Sequence, residues 1–176
     1  MSDRTGTVQE LAKQVGIDCI FLIPSANLFY LTGLDMGLSE RSTILVLPAD
    51  GQMTIVAPEL EAPKVRQSAR VDRVLSYKDE QGPLSALGQA LAGVSGRRFA
   101  FEYRSMRVQE LELIRSVTGD FKYSDAGPLF SSLRMRKDEQ ELAYMAKACA
   151  FAEMGMESAL RAIREEVTEL DVQTQI

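Results

Sequence analysis

Thr43-Ile44-Leu45-Val46-Leu47-Pro48-Ala49-Asp50-Gly51-Gln52-Met53-Thr54-Ile55-Val56-Ala57 holds two apolar, β-branched runs around an Asp-Gly dipeptide. Aspartate and glycine tolerate the positive φ angles of the tight turns that join antiparallel strands, so Asp-Gly between such runs is a strong hairpin signal. The stretch predicts strands over 43–47 and 53–57, paired antiparallel.

Upstream, Val8, Leu11, Ala12 and Val15 recur at helical spacing and predict an amphipathic helix over 7–15, with Gly16 placed to end it. Residues 17–23 form an apolar, branched run between Gly16 and Pro24, the pattern of a buried strand. Pro24-Ser25-Ala26-Asn27 reads as a loop or short turn leading into 28–33. Downstream, helices over 59–68, 83–92 and 108–117 alternate with strands over 71–77, 98–103 and 121–124. Pro83 falls in a first helical turn, where its missing N–H costs little. Such alternation implies crossovers and parallel pairing, while the hairpin adds antiparallel pairs. The expected fold over 1–133 is a three-layer α/β domain. Its sheet is mixed, mostly parallel, five- or six-stranded and flanked by helices.

The tail, 134–176, has a different pattern. Asp138 can cap a helix, with Glu141 in the capping-box position. Leu142, Cys149, Met156 and Ile163 recur every seventh residue, with Met145, Ala152 and Ala159 at the other seam position. That stripe calls for a partner surface, either the sheet of the preceding α/β body or a further domain. Thr168 and Asp171 form a second capping box, announcing a helix from Glu169 that the chain follows for about two turns before Ile176. On this reading, 134–176 is a linker helix and the truncated start of a further domain.

Composition narrows the chemistry. The 176 residues include no histidine, which removes Ser-His-Asp triads, Cys-His pairs and His-containing metal sites. Net charge is -5 with scattered basic residues, so nucleic acid is not an expected partner. Cys19 and Cys149 lie far apart in apolar contexts and read as two reduced, buried thiols. No apolar core follows Met1-Ser2-Asp3-Arg4-Thr5, and the longest purely apolar stretch, 19–23, is too short to cross a membrane. These features predict a soluble, cytoplasmic chain without a membrane partner.

No glycine-rich phosphate loop is present: Gly93 and Gly96 precede a strand instead of joining strand to helix. The pairs Glu165-Glu166 and Asp138-Glu139 sit at helix ends, where the helix dipole explains them. Asp35 and Glu40 are loop carboxylates without an evident partner set, and Cys19 reads as an inert core thiol. No catalytic residue and no metal ligand is assigned within the chain.

Several segments together resemble a known family. They are Gly16-Ile17-Asp18 with the strand after it, Asn27-Leu28-Phe29-Tyr30-Leu31-Thr32-Gly33, and the hairpin followed by Pro58-Glu59-Leu60-Glu61. Phe99-Ala100-Phe101-Glu102, Leu133-Arg134-Met135-Arg136-Lys137-Asp138-Glu139-Gln140-Glu141-Leu142 and Val167-Thr168-Glu169-Leu170-Asp171 continue the series. Their order and spacing resemble the N-terminal domain, interdomain segment and start of the catalytic domain in the creatinase / Xaa-Pro aminopeptidase / prolidase family. Glu166 or Val167 stands where that last segment usually has glycine.

The resemblance implies a creatinase/prolidase-like N-terminal domain joined by the tail helix to a catalytic domain absent from this chain. That domain would bind two divalent metal ions (Mn, Co or Zn) through ligands beyond residue 176. It implies a non-catalytic role here: limiting access of a proline-containing dipeptide or short peptide and mediating a homodimer. The parent would be an Xaa-Pro peptidase-like metallohydrolase cutting the bond before proline. Tyr30 and Arg41, with the loop 34–41, become the substrate-facing candidates, because a guanidinium offers bidentate hydrogen bonds to a peptide carboxylate. Tyr30 as a core ring and Arg41 as a solvated loop charge stay open as alternatives. So do a creatinase-type hydrolase acting on a non-peptide C–N bond and a free-standing binding or dimerisation module.

Overall fold

In the computed structural model, which describes residues 3–68 and 70–175, the hairpin forms with the expected partners. Strand β2 (Ile44–Pro48) pairs antiparallel with β3 (Thr54–Pro58), Ile44 opposite Val56 and Val46 opposite Thr54. β1 (Cys19–Leu22) lies antiparallel to β2, with Cys19 opposite Pro48. Parallel pairing adds β4 (Arg73–Tyr77) beside β3, β5 (Arg98–Phe101) beside β1, and β6 (Lys122–Asp125) beside β5. The result is a six-stranded mixed sheet in the order β4-β3-β2-β1-β5-β6.

Alternation along each strand divides the core between the two faces. Ile20, Leu22, Leu45, Leu47, Ile55 and Ala57 point to one side. There they meet Val8 and Ala12 of α1 (Arg4–Gln14), Leu28 and Leu31 of α2 (Ala26–Thr32) and Val65 of α3 (Ala62–Ser68). Cys19, Phe21, Ile44, Val46, Val56, Phe99 and Phe101 point to the other, against Leu87 and Leu91 of α4 (Leu84–Leu91) and Ile114 of α5 (Val108–Thr118). Helices cover both faces, which is why the central strands are apolar throughout instead of alternating. Phe21 stacks on Phe101 with ring centroids 5.4 Å apart and meets Phe99 edge-on at 5.1 Å. Each fully buried ring is worth about 2–3 kcal/mol of transfer free energy.

Three local expectations change. The turn expected over 24–27 stops at Ser25, whose Oγ accepts from Leu28 N at 3.2 Å and starts α2, and Gly33 ends that helix at φ 75°. The contiguous Leu28-Phe29-Tyr30-Leu31 hides the helical period that buries Leu28 and Leu31. Pro83 occupies the N-cap of α4 instead of its first turn. An additional helix, α6 (Gly127–Met135), follows β6, with Leu129 and Phe130 buried and Asp125 Oδ1 accepting from Gly127 N at 2.9 Å.

The chain splits into two compact units, Met1–Leu133 and Arg134–Ile176. The second contains α7 (Glu139–Ala162) and α8 (Glu169–Gln173), both opened by the expected capping boxes. α7 contains no buried residue. Its apolar side chains are not confined to the seven-residue stripe: Tyr144, Phe151, Met154 and Leu160 are exposed beside Leu142, Met145, Met156 and Ile163. Cys149, expected to be buried, is exposed on this helix. Among the described residues, no helix is long and apolar enough to cross a membrane.

Candidate functional site

β1, β3, β4, β5 and β6 all end at one edge of the sheet, and β2 begins there. Ligand sites of α/β sheets lie outside the carboxyl ends of the strands, where the connecting loops converge. Ser25, Asn27, Arg41, Tyr77, Asp79 and Glu102 lie at or just beyond this edge.

At its centre, Glu102, the residue after β5, faces the start of α2. Ser25 Oγ donates to Glu102 Oε2 at 2.7 Å and Asn27 Nδ2 donates to Oε1 at 2.6 Å. Ser25 thus does double duty, capping α2 and tying β1's exit to β5's. Thr32 Oγ1, fully buried, donates to the Leu28 carbonyl at 2.8 Å and accepts from Leu34 N at 3.1 Å, setting the direction in which the chain leaves α2.

Residues 34–43 return to β2 along the same edge without regular secondary structure. Arg41 lies here. Its Nε donates to both carboxylate oxygens of Asp79 at 3.0 and 2.9 Å, its Nη2 lies 2.9 Å from Asp79 Oδ2, and its Nη1 reaches Glu40 at 3.0 Å. Hydrogen bonds from Arg41 hold the Asp79 carboxyl below the ordinary carboxylate range, and the same bonds raise the Arg41 guanidinium. The side chains are 39% and 55% exposed, so water screens this pair and it opens at little cost.

Tyr30 has different surroundings. It projects from α2, half-buried against the core, with the Arg4 guanidinium carbon 4.2 Å from its ring centroid and Arg4 Nη1 donating to its carbonyl at 3.0 Å. A cation over the ring face is attracted by the ring quadrupole. The phenol of Tyr77 donates to the Ser42 carbonyl at 2.9 Å, and burial pushes its pKa up, leaving it protonated as a donor.

The residues that organise the edge include several the sequence reading did not single out: Ser25, Tyr77, Asp79, Arg107 and Glu110. Glu110 carried a signal. It falls on the apolar face of its helix, one turn before Ile114, and an acidic residue in such a stripe needs a partner. Arg107 supplies one, through Nε at 2.9 Å and through Nη2, while Ser42 Oγ donates at 2.9 Å. Asp79 carried none, because its link to Arg41 spans 38 residues.

Among the described residues, no group of three His, Cys, Asp or Glu side chains is placed to hold a metal ion. The metal ions implied by the family resemblance therefore find no fitting ligand set in this part of the chain. Cys19 is fully buried in β1, and burial raises its thiol far above the ordinary range, which suits neither a nucleophile nor a ligand.

A dipeptidase from Pyrococcus horikoshii OT3 is 28% identical, superimposes with a TM-score of 0.83, and is matched over 98% of this chain and 49% of its own. Dipeptidase PepE from Mycobacterium ulcerans is also 28% identical, with a TM-score of 0.77 over 97% of this chain and 46% of its own. A Bacillus subtilis protein named "Putative dipeptidase YkvY" is 27% identical over 176 residues, 99% of this chain and 48% of the relative. The chain thus spans about half the length of the curated relatives it matches. The Creatinase/Prolidase N-terminal domain model matches residues 4–136, so the chain belongs to the family of Creatinase/Prolidase N-terminal domains.

Proposed function

We propose that this chain is the non-catalytic N-terminal domain of a dipeptidase of the prolidase type, which cleaves the bond before proline in Xaa-Pro dipeptides. The observation that carries the reading is the near-complete match of the chain to about half of proteins described as dipeptidases. Divalent metal ions would supply the activated water in such an enzyme. The reading assigns their ligands outside this chain.

Within that enzyme, the sheet edge carrying Tyr30, Arg41 and the loop 34–41 borders the path of the dipeptide. Arg41 is the residue suited to its carboxylate. A guanidinium already holding a carboxylate in an exposed, screened pair can exchange Asp79 for a second carboxylate at small cost. Tyr30 offers an aromatic surface beside a cation, suited to packing against an apolar side chain.

The test uses two polypeptides: this chain alone, and the longer protein in which it is followed by the remainder of the dipeptidase. The longer protein is expected to hydrolyse Xaa-Pro dipeptides in the presence of divalent metal, and this chain alone to show no hydrolysis. Arg41→Ala in the longer protein is expected to raise KM about tenfold, the effect of one charged hydrogen-bonding partner. Chelator-resistant hydrolysis by the purified 176-residue chain, or a longer protein inert toward every dipeptide, would refute the assignment.

A further inference from the structure

Residues 34–42 carry neither helix nor strand, yet the second half of the segment is tied at four successive positions. Arg107 Nη1 donates to the Ser39 carbonyl, and Gln109 Nε2 donates to the Glu40 carbonyl at 3.1 Å. Arg41 is held by Asp79, and Ser42 Oγ donates to Glu110 Oε1 at 2.9 Å. Apart from the Asp79 bond, these ties come from Arg107, Gln109 and Glu110, at the start of α5. By contrast, Asp35, Gly37 and Leu38 in the first half are exposed.

Glu110 is fully buried. A buried ion pair is seldom the most stabilising use of such a position, since apolar residues of similar volume often serve as well or better. What the pair supplies here is direction. Arg107, oriented by Glu110, aims a donor at a loop carbonyl, while Glu110 accepts the hydroxyl of Ser42 three residues further on. We propose that Arg107 and Glu110 are positioning residues whose ion pair fixes the root of 34–42 and so aims its exposed tip, 35–38. The functional consequence, a tip held beside the dipeptide path, rests on the reading given under Proposed function.

The double variant Arg107→Met, Glu110→Leu removes the pair without stranding a buried charge, so stability and positioning can be read separately. Trypsin cleaves after Arg41, and cleavage of the native chain there requires release of the root. Cleavage at Arg41 is expected to accelerate about tenfold in the double variant, with a thermal midpoint close to the parent's. An unchanged rate overturns the proposal. So does an equal acceleration at Arg73 in β4, which would make the pair a general prop. Should the double variant show no cooperative melt, Arg107→Lys, which keeps a cation beside Glu110 but loses the guanidinium that bridges Glu110 and the Ser39 carbonyl, carries the test: faster cleavage at Arg41 supports the proposal and an unchanged rate overturns it.

In the longer dipeptidase, the double variant is expected to raise KM several-fold with kcat nearly unchanged, and a loss of kcat at constant KM overturns the link to substrate access. Absence of dipeptidase activity from the parent would refute the functional reading alone, while the proteolysis still decides whether the pair positions the segment.

Discussion

Asp18 stands just before β1, and Arg98 at the start of β5 answers it through its backbone N–H at 2.8 Å and its guanidinium at 3.0 Å. Gly96, at φ +114°, leaves room for this arrangement, since an added Cβ would fall 2.4 Å from Asp18 Oδ2. Hydrogen bonds from Arg98 hold the Asp18 carboxyl below its ordinary range. The folded chain therefore binds this proton less tightly than the unfolded chain. The resulting stability is complete above the unfolded pKa, about 4, and is lost as pH falls through the folded value. Asp18→Asn is expected to cost about 1 kcal/mol near neutral pH, because Arg98 is largely solvated, and to flatten the acid limb of the melting curve. Thermal midpoints of both proteins from pH 7 down to about pH 2 check this, and parallel curves would contradict it. None of this pairing was legible from the sequence, because 80 residues separate the partners.

At the scale of elements, legibility followed the kind of signal. The hairpin over 43–57 was readable because turn chemistry and apolar runs act locally, and both capping boxes of the tail were readable because three-residue spacing suffices. α2 was not, since its cap, Ser25, is shared with Glu102, a residue 77 positions away, and its short apolar block has no resolvable period. Ser25→Ala removes the cap of α2 and one of Glu102's hydrogen bonds together. It is expected to destabilise the first unit by about 1–2 kcal/mol, measured as a shift in the urea midpoint at unchanged slope. A change within about 0.3 kcal/mol would mean that Asn27 alone secures Glu102.

For the molecule as a whole, α7 raises a different question. Tyr144, Phe151 and Met154 are exposed on α7 as well as Leu142, Met145 and Met156, more apolar surface than a solvated helix ordinarily carries. We propose that the 176-residue chain by itself covers this surface by self-association. Sedimentation velocity is expected to show a dimer that dissociates when Met145 and Met156 are both replaced by lysine. A parent chain that sediments as a monomer with α7 fully helical by circular dichroism would contradict the proposal.

Local patterns in the sequence determined the α/β class, the mixed sheet, the division near residue 133 as an expectation, and the family to which the first unit belongs. Each of these rests on periodicity, turn residues or ordered motifs, signals that neighbouring residues carry among themselves. Only the tertiary structure decided that Ser25, Asn27 and Glu102 meet, that Arg41 faces Asp79, and that a buried Glu110 ties α5 to the segment before β2. Those contacts arise because parallel pairing carries remote strand ends to one edge of the sheet. Their energies depend on burial and direction, which no residue's identity reveals until the sheet has formed.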